Sequence, residues 1–355
     1  MRFIGNKTKL LSYIDDILSK NNALPGERFF DFFAGTASVG KYFKEKGYTV
    51  TSSDILYFSY VLQQAYIHNS KEPSFDKLGK FISNKLAPRL MSTPYEEVLD
   101  YLNSIQGTEG YIYKNFTEEG TKTTPTPRKF FKGDNGKKID AIRQTIEGWK
   151  KKGLLSKNEY FILLATLIES VPFYANISGV YGAFLKSYDP RAKKDLRLRP
   201  LSLSTKGPVG SAFNRNSMEL VNSIETDTLY LDPPYNARQY APNYHLLETI
   251  AEYDDPEIKG VAGIRPYNNQ KSEFCNPATA LEALGKIAGG AKYKVLVLSY
   301  NSEGIMPQKK ILEVLSKHGN AKIYEVDYRR FKSNSNGNAE HKTHIKEQLY
   351  VLKRA

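Results

Sequence analysis

Apolar residues recur at Leu10, Leu11, Ile14, Ile17 and Leu18, a stripe that predicts a helix over 7–18. Pro25-Gly26 ends it. The apolar run 28–33 predicts a buried strand, Ala34-Gly35-Thr36 a turn, and 38–46 a helix closed by Gly47. A second strand follows at 48–52 and a second helix at 55–68. This βαβ order predicts a parallel sheet. The same grammar resumes near Gly210: strands at 228–231, 294–298, 321–328 and 348–353, and a helix at 244–252. Between the two α/β stretches lies an insert, 71–206. Its segment 107–138 is rich in Gly, Thr, Pro and Lys and predicts loop, whereas 158–171 predicts an apolar helix. The polar segment 329–346 predicts a mobile loop of functional size. The chain has no internal repeat.

Charge changes this picture. The 355 residues carry 51 Lys and Arg against 38 Asp and Glu, a net +13 that points to a polyanionic partner. The surplus concentrates in the insert. Residues 114–157 hold twelve basic and five acidic side chains, and 186–199 hold six and two. Charge runs are usually solvated faces, but two in one insert favour a phosphate-facing surface. Candidate phosphate contacts are Lys129, Lys132, Lys186 and Arg191. Lys193, Lys194 and Arg197 extend the set within the insert, and Lys332 adds one from the late loop. Cys275 is the single cysteine, which excludes an intrachain disulfide and a cysteine zinc site. No apolar run approaches about 18 residues and the first residues carry no apolar leader, so a cytoplasmic protein with no membrane partner is expected.

Three motifs carry chemistry. Asp31-Phe32-Phe33-Ala34-Gly35-Thr36 places a tight turn at a strand end, where doubly wound sheets bind ligands. It lacks the paired glycines of a dinucleotide fingerprint. Asp31 can accept from a ligand ammonium. Asp54 follows the second strand about twenty residues later, where a carboxylate can take both ribose hydroxyls of a nucleoside; it also suits a helix N-cap. The strongest motif is Asp232-Pro233-Pro234-Tyr235. Its prolines fix an extended turn, which sets the Asp232 carboxylate and the Pro233 carbonyl as two acceptors. An aromatic exocyclic amine is planar, with its lone pair delocalised. Two acceptors holding its protons let the nitrogen pyramidalise toward an in-line methyl group. Tyr235 offers a face for a base extruded from the duplex.

With these motifs in this order, the chain resembles the alpha group of DNA adenine amino-methyltransferases, to which Dam and methylases of several restriction-modification systems belong. The resemblance covers both α/β stretches. It implies a Rossmann-like class I methyltransferase sheet of seven strands, the last antiparallel, with an inserted target-recognition domain. The catalytic domain would comprise 1–70 and 207–355, and the recognition region 71–206. The resemblance implies S-adenosyl-L-methionine as cofactor, with no metal. Phe3-Ile4-Gly5-Asn6-Lys7 is similar to the motif whose lysine and backbone hold the methionine part. Asp31, Phe33, Ala34, Gly35 and Thr36 match the cofactor loop, Asp54 the ribose acid, and Ile55 the apolar neighbour of the cofactor adenine. The family often has an acidic residue before the catalytic strand; Asn216 is the nearest match here. His245 fits a place near the site but is read as a helix-start residue without a catalytic role.

The resemblance implies adenine in duplex DNA as substrate, base flipping, and direct displacement. A cognate restriction endonuclease would act separately, and the enzyme would be a monomer. Methylation of the cytosine amino group remains an alternative, although it typically uses Ser in place of Asp. RNA base methylation more often has Asn there. Attack on cytosine carbon five needs a cysteine nucleophile, and Cys275 lies far from any strand-end motif. A non-catalytic DNA-binding protein on a decayed methylase fold would show damage at Asp31, Gly35 or Asp232, and all three are intact.

Overall fold

A computed structural model of the chain describes residues 5–82, 92–329 and 344–354. In chain order the elements begin α1 (Leu11–Lys20), β1 (Arg28–Asp31), α2 (Ser38–Glu45), β2 (Thr49–Asp54) and α3 (Tyr57–Tyr66). Then come α4 (Asp76–Ile82), α5 (Pro94–Ser104), α6 (Tyr111–Phe116), α7 (Gly133–Lys151) and α8 (Lys157–Ser170). The chain continues through β3 (Ser211–Asn214), α9 (Ser217–Leu220), β4 (Thr228–Leu231) and α10 (Tyr240–Glu252). It closes with α11 (Ala280–Gly290), β5 (Val295–Asn301), α12 (Gln308–Leu315), β6 (Asn320–Arg329) and β7 (His344–Lys353).

The chain divides into two compact units. One runs up to Ser70 and takes in Lys206–Ala241 and the chain from Tyr267 onward. The other comprises Lys71–Thr205 and Pro242–Pro266.

The first unit holds a seven-stranded sheet in the order β3-β2-β1-β4-β5-β7-β6. Strands β3 to β5 pair in parallel, and β7 runs antiparallel to both β5 and β6. This is the seven-stranded Rossmann-like sheet, with its last strand antiparallel, that the resemblance implies. Both β4 and β5 are buried along their whole length, as expected of parallel strands covered on two faces. On one face Leu229, Leu231, Leu296 and Leu298 join a core with Leu284 and Ile287 of α11 and Ile311 of α12. Each such side chain contributes about 1.5–3 kcal/mol when fully buried. Beside β1, Phe29 stacks on Phe43 of α2 with ring centroids 4.2 Å apart. Gly47 ends α2 with φ +98°, the left-handed cap expected of it.

The strand missing from the periodicity reading is β3. Its Ser-Ala-Phe-Asn sequence is mostly exposed, so an edge strand of four residues leaves no apolar run or alternation to detect. The polar segment expected as a mobile loop falls largely on 330–343, outside the described residues; its flanks belong to β6 and β7.

One contact of this unit had no sequence signal. Lys44, on α2, is fully buried, and its ammonium donates to the carbonyls of Tyr66, Ile67 and Asn69 at the end of α3. The Tyr66 and Ile67 carbonyls are among the acceptors that a helix end leaves without intrahelical partners, and Asn69 lies just beyond the cap. Burial pulls the Lys44 pKa down to about 8, with Glu45 opposing.

The second unit is helical. Capping boxes start α5 (Thr93 with Glu96) and α8 (Ser156 with Glu159). Helix α8 is buried on nearly every side, as its apolar run predicts. The expectation of loop over 107–138 is corrected: α6 and the start of α7 lie there. Gly133 and Gly136 suggested loop, yet they serve close packing. A Cβ on Gly136 would come within 2.4 Å of the Thr117 methyl, and one on Gly133 within 2.8 Å of the Glu119 carboxylate.

The helix at 244–252 was expected with the second α/β stretch, but Pro242–Pro266 belongs to this helical unit. Arg143 of α7 donates from Nε to the Ile250 carbonyl at 3.1 Å, and Tyr253 Oη donates to Asp140 Oδ1 at 2.6 Å. These bonds tie 242–266 to the insert. No helix among the described residues is long and apolar enough to cross a membrane.

Candidate active site

Three carboxylates stand at the carboxyl ends of three neighbouring strands: Asp54 on β2, Asp31 on β1 and Asp232 just past β4. That is where open parallel sheets bind ligands. Asp31 is 2% exposed and its Oδ2 accepts the Gly40 N–H of α2 at 3.0 Å. Burial raises its pKa to about 7; the Gly40 bond opposes the shift, and the charges of Asp232 and Asp54 add to it. Gly35 makes the turn with φ +49°, a conformation disfavoured for residues with a Cβ. Its N–H donates to Asp54 Oδ2 at 2.9 Å, while Asp54 Oδ1 accepts from the Leu56 N–H at 2.9 Å. Burial lifts Asp54 to about 6 against these N–H donors. The Phe32 carbonyl is held from two sides, by Ser53 Oγ at 3.0 Å and Ser217 Oγ at 2.8 Å. Thr36 Oγ1 accepts from Asn6 Nδ2 at 3.4 Å, which joins the N-terminal motif to the turn.

Asp232 meets Lys7. The ammonium of Lys7 lies 3.2 Å from Asp232 Oδ1 and 2.5 Å from Glu347 Oε1. Ser299 Oγ donates to the same Glu347 oxygen at 2.8 Å. Burial raises the Asp232 pKa to about 7, with Lys7 pulling it down and Glu347 pushing it up. For Lys7, burial disfavours the charge, but the two carboxylates outweigh it and its pKa rises. The resemblance implies that Lys7 holds the cofactor; here its ammonium is engaged by two carboxylates. Glu347 and Ser299 were not foreseen. One signal existed: Glu347 shares its strand face with the apolar Leu349 and Val351, all three buried, and an acidic residue in such a row is out of pattern.

Pro233 is buried and Pro234 partly so. Tyr235 packs at the edge of the core, and its carbonyl accepts the Ile305 N–H at 2.9 Å. Gly5 approaches Tyr235, since a Cβ there would stand 3.8 Å from its ring. Phe33 meets Phe274 edge to face at 5.3 Å. Ile55 is half-buried, and its carbonyl accepts from Asn214 Nδ2 at 3.1 Å. Asn216 caps α9, with Oδ1 accepting the Met218 N–H at 3.0 Å, so its side-chain oxygen is already engaged. Phe3 lies outside the described residues.

His245 belongs to the helical unit, 1% exposed, with Nε2 2.9 Å from the Tyr181 carbonyl and Phe116 and Phe130 beside its ring. Burial drops its pKa to about 4. Cys275 is buried too, and burial pushes its thiol up to about 11, unlike an activated nucleophile.

The basic candidates separate into two groups. Lys129 pairs with Glu118 at 2.8 Å, Arg191 with Asp189 at 2.9 Å, and Arg197 reaches Asp100 at 3.9 Å. Lys186, Lys193 and Lys194 are exposed. In 191–199 the apolar Ala192, Leu196 and Leu198 point inward and the basic side chains between them outward. Lys132 precedes α7 at its cap position, and Lys332 lies outside the described residues.

A parallel sheet ending in one antiparallel strand, with acids at three strand ends and a proline-locked turn after β4, defines a Rossmann-like methyltransferase domain. Residues 3–314 match the D12 class N6 adenine-specific DNA methyltransferases, and the chain belongs to that family. It is 40% identical to the type II methyltransferase M.FokI of Planomicrobium okeanokoites over 94% of this chain and 50% of that protein. It is 37% identical to the modification methylase StsI of Streptococcus sanguinis, over 100% of this chain and 52% of that one. The type II methyltransferase M.NlaIII of Neisseria lactamica is 35% identical and is covered over 99% of its length. The chain thus spans about half of the first two relatives and nearly all of the third.

Proposed function

We propose that this chain methylates the exocyclic amine of adenine at a specific site in duplex DNA, with S-adenosyl-L-methionine as donor. The observation that carries the reading is the partly buried carboxylate of Asp232, fixed by Pro233-Pro234 and faced by Lys7, one strand away from Asp31.

The donor set fits this cofactor. Burial and neighbouring carboxylates make Asp31 hold its proton more tightly than an ordinary carboxylate, and burial does the same for Asp54. Such a pocket favours a cationic ligand that also carries ribose hydroxyls. When bound, the cofactor supplies an electrophilic methyl on a sulfonium. Asp31 and the turn Phe33 to Thr36 would hold its amino-acid part, and Asp54 with Ile55 its nucleoside part. Gly5 and Asn216 would line the same site.

Asp232 and the Pro233 carbonyl accept hydrogen bonds from the two amine protons of the target adenine, which turns the nitrogen lone pair out of the ring plane. Tyr235 stacks on the flipped base. Lys7 keeps Asp232 oriented and favours its ionised form. Transfer would be a single displacement, the N–C bond forming as the C–S bond of the sulfonium breaks to a neutral thioether; Asp232 stabilises the positive charge that develops on the amine, whose surplus proton would then pass to water. The helical unit with 71–206 supplies the phosphate contacts and target recognition, with Lys186, Lys193 and Lys194 as exposed cations and Lys129, Lys132, Arg191 and Arg197 as further contacts, and Lys332 adds one from the late segment. The protein acts as a monomer in the cytoplasm, apart from any cognate endonuclease.

The test is mass spectrometry of DNA nucleosides after incubation with purified protein and labelled cofactor. N6-methyladenine is expected. Asp232→Ala should keep cofactor binding in calorimetry and lose methylation by about 100-fold or more. Normal turnover by that variant would overturn the assignment.

A further inference from the structure

The pair Lys7 and Asp232 does not stand alone. Neighbouring strands β4, β5 and β7 carry Asp232, Ser299 and Glu347 onto one face of the sheet. The register aligns Leu231 with Leu298 and Asn301 with Glu347, so Asp232 comes level with Ser299, and Ser299 is a diagonal neighbour of Glu347. All three polar side chains turn away from the face that buries Leu231, Leu298 and Tyr350. Lys7 crosses this row, with its ammonium between the two carboxylates and closer to Glu347. Lys7 and Glu347 are less than a tenth exposed, so their charges act on one another with little screening by water.

We propose that Glu347, held by Ser299, is a positioning residue for the carboxylate of Asp232 and acts through the Lys7 ammonium they share. This rests on the reading of Asp232 as the acceptor of the target amine. Glu347 draws Lys7 away from Asp232, so Asp232 is only partly neutralised. It remains a strong acceptor with a fixed direction rather than half of a closed ion pair. Ser299 keeps the Glu347 oxygen aimed at Lys7.

The charged and titratable groups facing Asp232 are Lys7, Glu347, Asp31 and the Tyr230 hydroxyl. Two variants act on Asp232 with opposite sign. Glu347→Gln keeps an oxygen for Lys7 and Ser299 but removes a negative charge and frees Lys7 toward Asp232, so the Asp232 pKa should fall. Lys7→Gln removes the cation, so it should rise. Each shift should be about one unit, the scale for a charge at this range.

The experiment is a carbon-detected NMR titration of Asp232 in aspartate-labelled protein, with the signal assigned by its loss in Asp232→Asn. It needs no turnover. Alongside it, the acidic limb of methylation against pH is measured for the same proteins. Opposite displacements of the Asp232 titration, tracked by the acidic limb, are expected. Ser299→Ala should move neither by more than a fraction of a unit while lowering turnover. An Asp232 titration unmoved in Glu347→Gln, or moved the same way by both variants, overturns the proposal. If Glu347→Gln does not fold, the Lys7→Gln displacement alone decides, and a fall rather than a rise overturns it. NMR shifts as expected in a protein that methylates no adenine would leave the coupling standing and sink the assigned reaction instead.

Discussion

The backbone N–H of Gly35 donates to the carboxylate of Asp54 at 2.9 Å, so the end of β2 holds the turn that follows β1. Asp54 is therefore structural before any ligand arrives. Its other oxygen engages the Leu56 N–H, and both contacts are charge-assisted. Asp54→Ala should cost about 1–3 kcal/mol in chemical unfolding and weaken cofactor binding in calorimetry at least tenfold. Unchanged stability with weakened binding would show that the carboxylate serves the ligand alone.

The Asp31 pKa near 7 lies above its value of about 3.8 in an unfolded chain. The folded protein therefore binds more protons than the unfolded one between these limits. The stability from this group is present in full below about pH 4 and lost as pH rises through about 7. Asp31→Asn keeps an acceptor for Gly40 but cannot ionise. Without cofactor, its melting temperature should gain on that of the wild type as pH is raised from 5 to 8. Its cofactor affinity should fall about tenfold or more, because a charged partner is lost. Parallel melting curves across that range would contradict the assignment.

Lys44 predicts a purely structural phenotype. Lys44→Met leaves the carbonyls of Tyr66, Ile67 and Asn69 without their shared donor. The expected loss is about 1–3 kcal/mol of unfolding free energy, measured with urea. The cofactor affinity of the fraction that stays folded should be unaltered.

For DNA binding, the exposed cations should outweigh the paired ones. Replacing Lys193 or Lys194 with Ala should reduce the slope of log affinity against log salt by about one per residue. Arg191→Ala should change it less, since Arg191 is neutralised by Asp189. Equal effects from both sets would argue against these lysines as phosphate contacts.

The sheet was legible where strands are buried. The runs around Phe29 and Leu229 read as strands from their apolar content, and the turns after them read from Gly35 and from Pro233-Pro234. Strand β3 was not legible, because an exposed edge of four residues obeys no burial pattern. Helix α7 was hidden by glycines whose role is close approach, visible only once Thr117 and Glu119 are seen against them. Asp31, Asp54 and Asp232 stood out because each sits at or just past the end of a strand. Their partners did not. Lys7 and Glu347 are separated by 340 positions, and no local pattern announces a pair closed by sheet topology. Lys44 reads as an ordinary helix-surface lysine until α3 is found over it.

The helical unit leaves the sheet unit after Ser70 and returns at Lys206, where the Gly210 N–H donates to the Ile67 carbonyl at 3.0 Å. A clasped stem of this kind suggests a cassette that could be exchanged for one with another target. Pro242–Pro266 complicates that picture. A graft of 71–205 alone would leave Arg143 and Asp140 facing a foreign α10 and its following tyrosine, their partners replaced. Exchanging the helical unit is therefore a two-segment operation. Recombination that moves one segment without the other would be selected against for folding, long before any question of sequence recognition arises.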